Sequence, residues 1–362
     1  GVPSQQGNAV FGAIARGGGT EVTSYDPITG DTNWSTLLPE AMELRIASQD
    51  GSAAAFGPVR ATDGTVAGRE VTRLTVVRGP DDVRAYDVAG NVEPETFSSD
   101  ASKLFLIDYL PAMAPAQYTV KVLDLATGTT GEVFDAHGER RRPMQGSART
   151  HVFSPDGTRL YTYYQITGEP YYEQGNGPYR AFVHVLDLEE GWAHCIVLSA
   201  PFGTSGDAGT ENLGSRPGVA VSSDGASVYV ADPNLGMVAE IDTAMLRVSR
   251  TAELGPPASG SVAATVATED SLFVATGRDV RSLSLESLTV ESSFSASEPV
   301  AALFVSRDAS RLYGALPDRV EVYDTNGDVL ADDLLVGSVP VEYFDPSGVP
   351  LDATNGVVKC AC

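Results

Sequence analysis

A short turn pattern recurs along the chain, and it constrains the fold more than any other feature of the sequence. Its clearest copy is Phe153-Ser-Pro-Asp-Gly-Thr-Arg-Leu-Tyr161, in which an apolar strand end is followed by turn-forming residues and then by β-favouring residues. Related copies are Ala47–Gly51, Phe97–Ala101, Val221–Gly225, Ala267–Asp270, Val305–Ala309 and, less closely, Phe344–Gly348. The marker aspartates of these copies are spaced by about 49 residues on average, a period typical of propeller blades.

A second pattern alternates with the turns. It is an apolar strand that ends in a polar residue before another turn, as in Val183-His-Val-Leu-Asp-Leu188. Further copies end at Asp26, Arg78, Asp124, Asp242, Ser284 and Asp324. Tyr86-Asp87 lies too close to the next turn to be another copy, so we expect it in an outer strand. The alternation predicts an all-β chain that forms a seven-bladed β-propeller of four-stranded antiparallel blades.

The order of the two patterns predicts how the ring closes. Asp26 has no copy of the turn pattern ahead of it, and Asp345 has no copy of the strand pattern after it. We therefore predict a single domain over residues 1–362, with blade 1 divided between about residues 8–40 and 338–362. The C-terminal part would supply the innermost strand of that blade. Such a shared blade closes the ring and removes the open sheet edges that an unclosed array would expose.

The repeats also resemble a known family. Phe153–Tyr161 and the longer stretch Val221-Ser-Ser-Asp-Gly-Ala-Ser-Val-Tyr-Val-Ala-Asp-Pro-Asn234 are similar to the YVTN-repeat seven-bladed propellers. The resemblance covers most of the chain as a repeat pattern and is sharpest in blades 4, 5 and 7. It implies relatives that include exported proteins, lactonase-like enzymes and the heavy subunits of amine dehydrogenases. The matching residues shape turns and inner strands, so they indicate the fold and carry no chemistry.

The charge of the chain excludes some partners. There are 48 Asp and Glu residues against 24 Lys and Arg residues, which gives a formal net charge of −24. An acidic protein of this kind repels phosphate backbones and acidic membrane surfaces, so we predict that it does not bind nucleic acid. No apolar run approaches the roughly 18 residues of a membrane-spanning helix, so we predict no membrane-spanning segment.

The start of the chain bears on its location. The sequence begins at Gly1 rather than at a methionine, and small and polar residues follow it. This is typical of a processed protein whose targeting segment has been removed. We therefore expect the protein to be extracytoplasmic, whether secreted, periplasmic or held at the cell surface.

Insertions between the repeats indicate where a site would lie. We name the strands of each blade a to d from the axis outward, so that the b–c and d–a connections share one face, called here the loop-rich face. The intervals between pattern copies show excess length in the b–c connections of blades 2, 3 and 4, and in the d–a connections from blade 3 to blade 5. Binding usually involves loops on a rigid scaffold, so we expect the site on this face.

Two of these insertions have a distinctive composition. Residues 136–149 contain the densest basic cluster of the chain, and residues 163–179 contain five tyrosines. The predicted ligand- or partner-binding residues are His137, Arg140, Arg141, Arg142, Arg149, His151, Tyr164, Tyr171, Tyr172 and Tyr179. Guanidinium groups beside tyrosine rings can receive an acidic or aromatic ligand. The alternative is that the arginines pair with surrounding carboxylates while the tyrosines pack the loop against the rim.

Enzyme motifs are absent from the sequence. There is no Gly-x-Ser-x-Gly elbow, phosphate-binding loop or dinucleotide fingerprint. We therefore predict a non-catalytic exported propeller that binds a partner protein or a small acidic or aromatic ligand, with no cofactor and no metal. One alternative is a lactonase-like hydrolase that uses Arg149, His151 and nearby carboxylates at the axial opening. Another is the heavy subunit of an amine dehydrogenase-like complex, in which a second chain carries the cofactor.

Overall fold

The structure is a computed structural model, and it describes residues 1–60, 67–139, 143–166, 171–173, 177–204, 216–258, 263–306, 309–317, 319–325 and 329–334. The regular elements in these ranges are β-strands. The first are β1 (Val2–Pro3), β2 (Val10–Arg16), β3 (Gly19–Tyr25), β4 (Thr32–Leu38), β5 (Met42–Ala47), β6 (Ala54–Pro58), β7 (Val71–Val77), β8 (Val83–Ala89), β9 (Asn91–Phe97), β10 (Lys103–Leu110), β11 (Gln117–Asp124), β12 (Thr130–Glu132), β13 (Phe134–Asp135), β14 (Ser147–Phe153) and β15 (Arg159–Gln165). They are followed by β16 (Tyr171–Glu173), β17 (Gly177–Tyr179), β18 (Ala181–Asp187), β19 (Trp192–Leu198), β20 (Gly218–Val221), β21 (Ser227–Asp232), β22 (Met237–Asp242), β23 (Arg247–Glu253), β24 (Ala263–Ala267), β25 (Ser271–Thr276), β26 (Asp279–Ser284), β27 (Val290–Ser295), β28 (Ala302–Val305), β29 (Arg311–Ala315), β30 (Val320–Asp324) and β31 (Val329–Leu334).

The strands form sheets whose members follow one another along the chain. Within the described ranges there are seven sheets of four or five strands and a separate hairpin, β16–β17. Sheets 1, 2 and 3 are β1–β4, β5–β8 and β9–β12, and sheet 4 is β14, β15, β18 and β19 with β13 parallel to β19. Sheets 5, 6 and 7 are β20–β23, β24–β27 and β28–β31. The protein is therefore all-β, and its antiparallel four-stranded meanders are those expected of propeller blades.

One serine and one aspartate build the turn between strands a and b. In sheet 3, Ser98 Oγ donates to Asp100 Oδ1 at 2.7 Å, while the backbone N–H groups of Ser102 and Lys103 donate to Asp100 Oδ1 and Ser98 Oγ at 3.0 and 2.9 Å. Ala101 adopts φ 53°, the left-handed conformation that glycine takes in sister turns. The same arrangement recurs at Ser48, Ser154 and Ser222. The turn pattern of the sequence is thus confirmed at these positions.

The polar residue of the second pattern closes the turn between strands c and d. Asp124 ends β11, and its Oδ1 accepts the backbone N–H groups of Ala126 and Thr127 at 3.0 and 2.8 Å. The equivalent carboxylates are Asp26, Asp187 and Asp242. Every predicted copy of this pattern lies at the end of the third strand of its sheet, and Tyr86-Asp87 lies in the outer strand β8, as predicted.

One turn was missed in the sequence. Ser4 N–H donates to Ala9 O at 2.8 Å and Ala9 N–H donates to Ser4 Oγ at 3.1 Å, which are the bonds of the other a–b turns. The expectation that no turn precedes Asp26 is therefore wrong. This turn lacks the marker aspartate of the sequence pattern, because Gln6 stands at the position where the other turns have aspartate. The strand that precedes this turn is Val2–Pro3, which pairs with β2. Residues 338–362, predicted to supply the innermost strand here, lie outside the described residues.

Consecutive sheets share their apolar side chains. Phe105 and Ile107 pack with sheet 4, whereas Leu104 and Leu106 on the same strand pack with sheet 2. Six such clusters join sheet 1 to sheet 2 and each following pair up to sheets 6 and 7 within the described residues. Each fully buried Leu or Phe stabilises the fold by about 1.5–3 kcal/mol. Because the central strands are buried on both faces, their sequences are nearly continuous runs of apolar residues.

The a–b ends of the sheets come together. Gln6 N–H, in the turn of sheet 1, donates to Gln49 O in the turn of sheet 2 at 2.9 Å. Gln49 Nε2 in turn donates to Gly157 O, in the turn of sheet 4, at 2.8 Å. A direct bond between sheets 2 and 4 requires that their first strands lie towards a common centre. The outer strands β23 and β27 carry mostly exposed or half-exposed residues, as expected far from that centre.

The described residues contain no helix that is long and apolar enough to cross a membrane.

The a–b turns generate a stability prediction. Ser98→Ala removes the hydroxyl that joins Asp100 to the backbone of Lys103, and it leaves the half-buried N–H of Lys103 without this acceptor. We expect a loss of about 1–2 kcal/mol in the free energy of unfolding, measured by urea denaturation. Ser99→Ala, in the same turn, is the matched control and should change stability by less than about 0.5 kcal/mol. Equal effects of the two substitutions would show that the serine–aspartate pair does not stabilise the turn.

The same turns predict how stability depends on pH. Hydrogen bonds from the Ser98 hydroxyl, the Ser102 backbone and the Ser102 hydroxyl lower the pKa of Asp100 to about 2. Since this folded-state pKa lies below the unfolded value near 3.9, the stabilisation is complete above that value and is lost as the pH falls towards 2. Urea denaturation between pH 5 and pH 2 should show the stability difference between wild type and Asp100→Asn shrinking as the pH falls. A difference that stays constant over this range would contradict the assignment.

Candidate functional site

Hydrogen bonds join sheets 2 and 3 on the loop-rich face. Asn91, at the start of β9, is fully buried, and its Nδ2 donates to Ala67 O at 3.0 Å and to Ala112 O at 3.1 Å. Arg69 N–H also donates to Ala112 O at 3.1 Å. A Cβ added at Gly68 would lie 2.5 Å from Met113 O, so only glycine fits this close approach. Residues 67–69 of one b–c connection are thereby joined to residues 112–113 of the other.

A buried arginine lies beneath these connections. Arg45 sits on the first strand of sheet 2, and its side chain is 0% exposed. Its Nε lies 2.7 Å from Glu93 Oε2, its Nη1 lies 2.6 Å from Glu43 Oε1, and its Nη2 donates to Pro58 O. The pairing of β5 with β6 shifts at this point, and such a bulge re-aims the side chain of the extra residue. Arg45 is thus turned into the interface between the first strands of sheets 2 and 3.

Two further arginines flank the same carboxylates. Arg60 and Arg69 lie at either end of the b–c connection of sheet 2. Arg60 Nη2 is 4.0 Å from Glu93 Oε2, and Arg69 Nη1 is 3.6 Å from Glu93 Oε1. Arg60 also approaches Glu43, with Nη1 3.6 Å from Oε1. Their side chains are 29% and 18% exposed, so both are accessible to solvent. We call Glu43, Arg45, Arg60, Arg69 and Glu93 the arginine cluster.

The arginine cluster lowers the pKa of Glu43 and carries a net positive charge. Burial alone would raise the pKa of Glu43, but the charge and hydrogen bond of Arg45, with help from Arg60, outweigh it, so the pKa of Glu43 lies below its ordinary value. Within the cluster three guanidinium groups face two carboxylates, which leaves one positive charge in excess. A half-buried positive excess with unsaturated guanidinium donors can hold an anionic group.

The basic segment predicted from the sequence is described only in part. His137 is exposed in the turn after β13, where its backbone N–H donates to Asp135 Oδ1 at 2.9 Å. Arg140, Arg141 and Arg142 lie outside the described residues. Arg149 and His151 lie on the first strand of sheet 4, and the half-buried ring of His151 meets the ring of Phe153 edge-on at 6.0 Å.

The predicted tyrosines are divided between a hairpin and the core. Tyr171 and Tyr172 lie on β16, where Tyr171 pairs with Tyr179 across the hairpin. Tyr164 and Tyr179 are buried in the cluster between sheets 3 and 4. The ring of Tyr164 stacks on Phe182 at 5.1 Å, and that of Tyr179 meets Phe182 edge-on at 6.5 Å. These two rings therefore belong to the core rather than to a surface that solvent reaches.

The arginine cluster was missed in the sequence. Its members are spread over residues 43–93 and show no local motif, unlike the run at 140–142. The usable signal in the sequence is the excess length of the b–c connection in blade 2, which has an arginine at each end. Among the described residues no group of three or more His, Cys, Asp or Glu side chains is placed to hold a metal ion.

Comparison with known proteins identifies no family. No protein-family model matches the chain, and no curated protein matches it in sequence. Among solved structures, the chain is similar to hydrazine synthase from Kuenenia stuttgartiensis, with a TM-score of 0.40 and 16% identity over 90% of this chain and 95% of that chain. It is also similar to a protein from Bacteroides uniformis provisionally assigned as a 6-phosphogluconolactonase, with a TM-score of 0.44 and 14% identity over 89% of this chain and 94% of that chain. Similarity this low assigns no function.

The burial of Arg45 predicts a large effect of its removal. Arg45→Met would leave Glu43 and Glu93 facing each other without the charge between them, so we expect a loss of about 3 kcal/mol in the free energy of unfolding, measured by urea denaturation. Arg73→Met is the matched control, because Arg73 also pairs with two carboxylates, Glu40 and Asp87, but is 45% exposed. It should lose less than about 1 kcal/mol. Equal losses would mean that Arg45 is no more important than a surface ion pair.

Proposed function

We propose that the protein is a non-catalytic, extracytoplasmic seven-bladed β-propeller that binds an anionic ligand, or an acidic segment of a partner protein, on its loop-rich face. The observation that carries this proposal is the arginine cluster. It places accessible guanidinium groups on that face, above the buried Arg45, in a chain whose net charge is −24. A local positive site on an acidic protein selects a small or local anion, since extended polyanions are repelled by the whole molecule.

The seven-bladed ring is supported by the two end sheets. In sheet 1, Ile14 and Leu37 both pair with Glu21 of β3, so their side chains share one face of the sheet. This face points away from sheet 2, and both side chains are exposed. Sheet 7 likewise exposes Phe304 on the side away from sheet 6. Within the described residues β1 pairs with β2 only at Val10 and Phe11, so most of the inner edge of β2 is open to a further strand. We propose that residues 338–362 pair there and close the ring between the two end sheets.

The state of the carboxylates supports binding rather than catalysis. A general acid or base works best with a pKa near the operating pH. The pKa of Glu43 is lowered instead, and Arg45 pairs with both Glu43 and Glu93 at 2.7 Å or less. Both carboxylates orient the guanidinium groups, and Glu43, whose pKa is lowered, has no proton to exchange near neutral pH. The protein would therefore hold an anion without transforming it.

Methionine signals can test which face binds. Met113 lies in the b–c connection of sheet 3, on the loop-rich face, and Met245 lies in the c–d turn of sheet 5, on the opposite face; they are 61% and 60% exposed. Methyl NMR of ¹³C-methyl methionine protein would be followed during titration with acetate, succinate, citrate, sulfate and phosphate at constant ionic strength. We expect at least one anion to shift the Met113 signal saturably while the Met245 signal stays fixed. Saturable shifts at Met245 alone, or at neither methionine, would refute the proposed function.

A further inference from the structure

Among the described residues, the donors of Arg60 and Arg69 are incompletely used. Their ion-pair distances to Glu93, 4.0 and 3.6 Å, exceed those of a good hydrogen bond, whereas Arg45 already holds Glu93 Oε2 at 2.7 Å. The other contact described for the Arg69 guanidinium is 3.5 Å, from Nη1 to Asn91 Oδ1. A guanidinium group has five N–H donors, so the contacts with described residues leave donors on both arginines for a ligand.

The charge of the arginine cluster selects the valence of the group that lies between Arg60 and Arg69. Its excess of one positive charge would be balanced by one monovalent anion. A divalent oxyanion would reverse the local charge beside Glu43 and Glu93, where electrostatic repulsion is little screened. A carboxylate also matches the planar fork of a guanidinium group, which it accepts through two parallel hydrogen bonds.

The cluster is organised before any ligand arrives. Asn91 joins Ala67, beside the end of the connection that carries Arg69, to Ala112 of the neighbouring connection, and Arg45 holds the Glu93 carboxylate that Arg60 and Arg69 both approach. Binding therefore needs little rearrangement of Arg45 and Glu93, which would otherwise reduce affinity.

We propose that Arg60 and Arg69 together bind one carboxylate group of the ligand, with Arg45 as the positioning residue beneath them. This inference rests on the proposed function and names the chemical class of ligand for that site. Glu43 and Glu93 hold the guanidinium groups in place and exclude a second negative charge. No bond is made or broken, and the complex is held by charge-assisted hydrogen bonds.

The test measures carboxylate affinity in charge-matched variants. Acetate and succinate would be titrated against wild type, Arg60→Gln, Arg69→Gln and the control Arg73→Gln, with the Met113 signal as readout. We expect each of the first two variants to weaken carboxylate binding at least tenfold and Arg73→Gln to change it less than twofold, although all three lose the same charge. Arg60→Lys, which keeps the charge but loses the fork, should weaken binding too and serves if Arg60→Gln fails to fold.

The contrary outcomes separate this inference from the proposed function. If an anion still shifts Met113 but Arg60→Gln and Arg69→Gln bind acetate and succinate as wild type does, the face is right and the assigned arginines are wrong. If Arg73→Gln weakens carboxylate binding as much as Arg60→Gln and Arg69→Gln do, the loss reflects the net charge of the protein and the assignment to these two arginines is wrong. If sulfate or phosphate binds as tightly as the carboxylates, the assignment to carboxylate fails.

Discussion

The structure depends on apolar side chains that each sheet shares with the sheets before and after it in the chain. Phe105 and Leu106 are neighbours in sequence, yet they pack against different sheets because successive residues of a strand point to opposite faces. A single four-stranded sheet of this kind could not bury both faces alone. The arrangement also explains why the end sheets expose Ile14 and Phe304, since each has a described neighbour on one side only.

The arginine cluster uses the same scaffold. Arg45 and Glu93 lie on the first strands of adjacent sheets, so the packing that joins sheets 2 and 3 also sets the distance between these charges. Burial of Arg45 is tolerated because it forms ion pairs with two carboxylates and donates a hydrogen bond to one carbonyl oxygen. Arg60 and Arg69 then extend from the rim above it. The rigid sheets thus support a charged site that a loop alone would not hold in place.

The sequence predicts the turns correctly where a serine and an aspartate together determine the turn. Ser98 and Asp100 bond to each other and to the backbone within five residues, so their spacing alone indicates the turn. The turn at Ser4 escaped detection because Gln6 replaces the aspartate, although the backbone bonds are the same. Tyr164 was assigned to a ligand-binding loop, but β15 continues to Gln165 and carries the ring into the core. Tyrosine is amphipathic, so composition alone does not distinguish these two roles.

The sequence by itself determined the all-β class, the repeating turns and the third strands, because these depend on contacts between residues a few positions apart. Only the tertiary structure decided which charges meet. Arg45 and Glu93 are separated by 48 positions, and Gln49 bonds to Gly157 across 108 positions. No local pattern encodes such pairs, since their distance is set by the packing of whole sheets. For the same reason the run of arginines at 140–142 stood out in the sequence, while the dispersed arginine cluster became visible only in the fold.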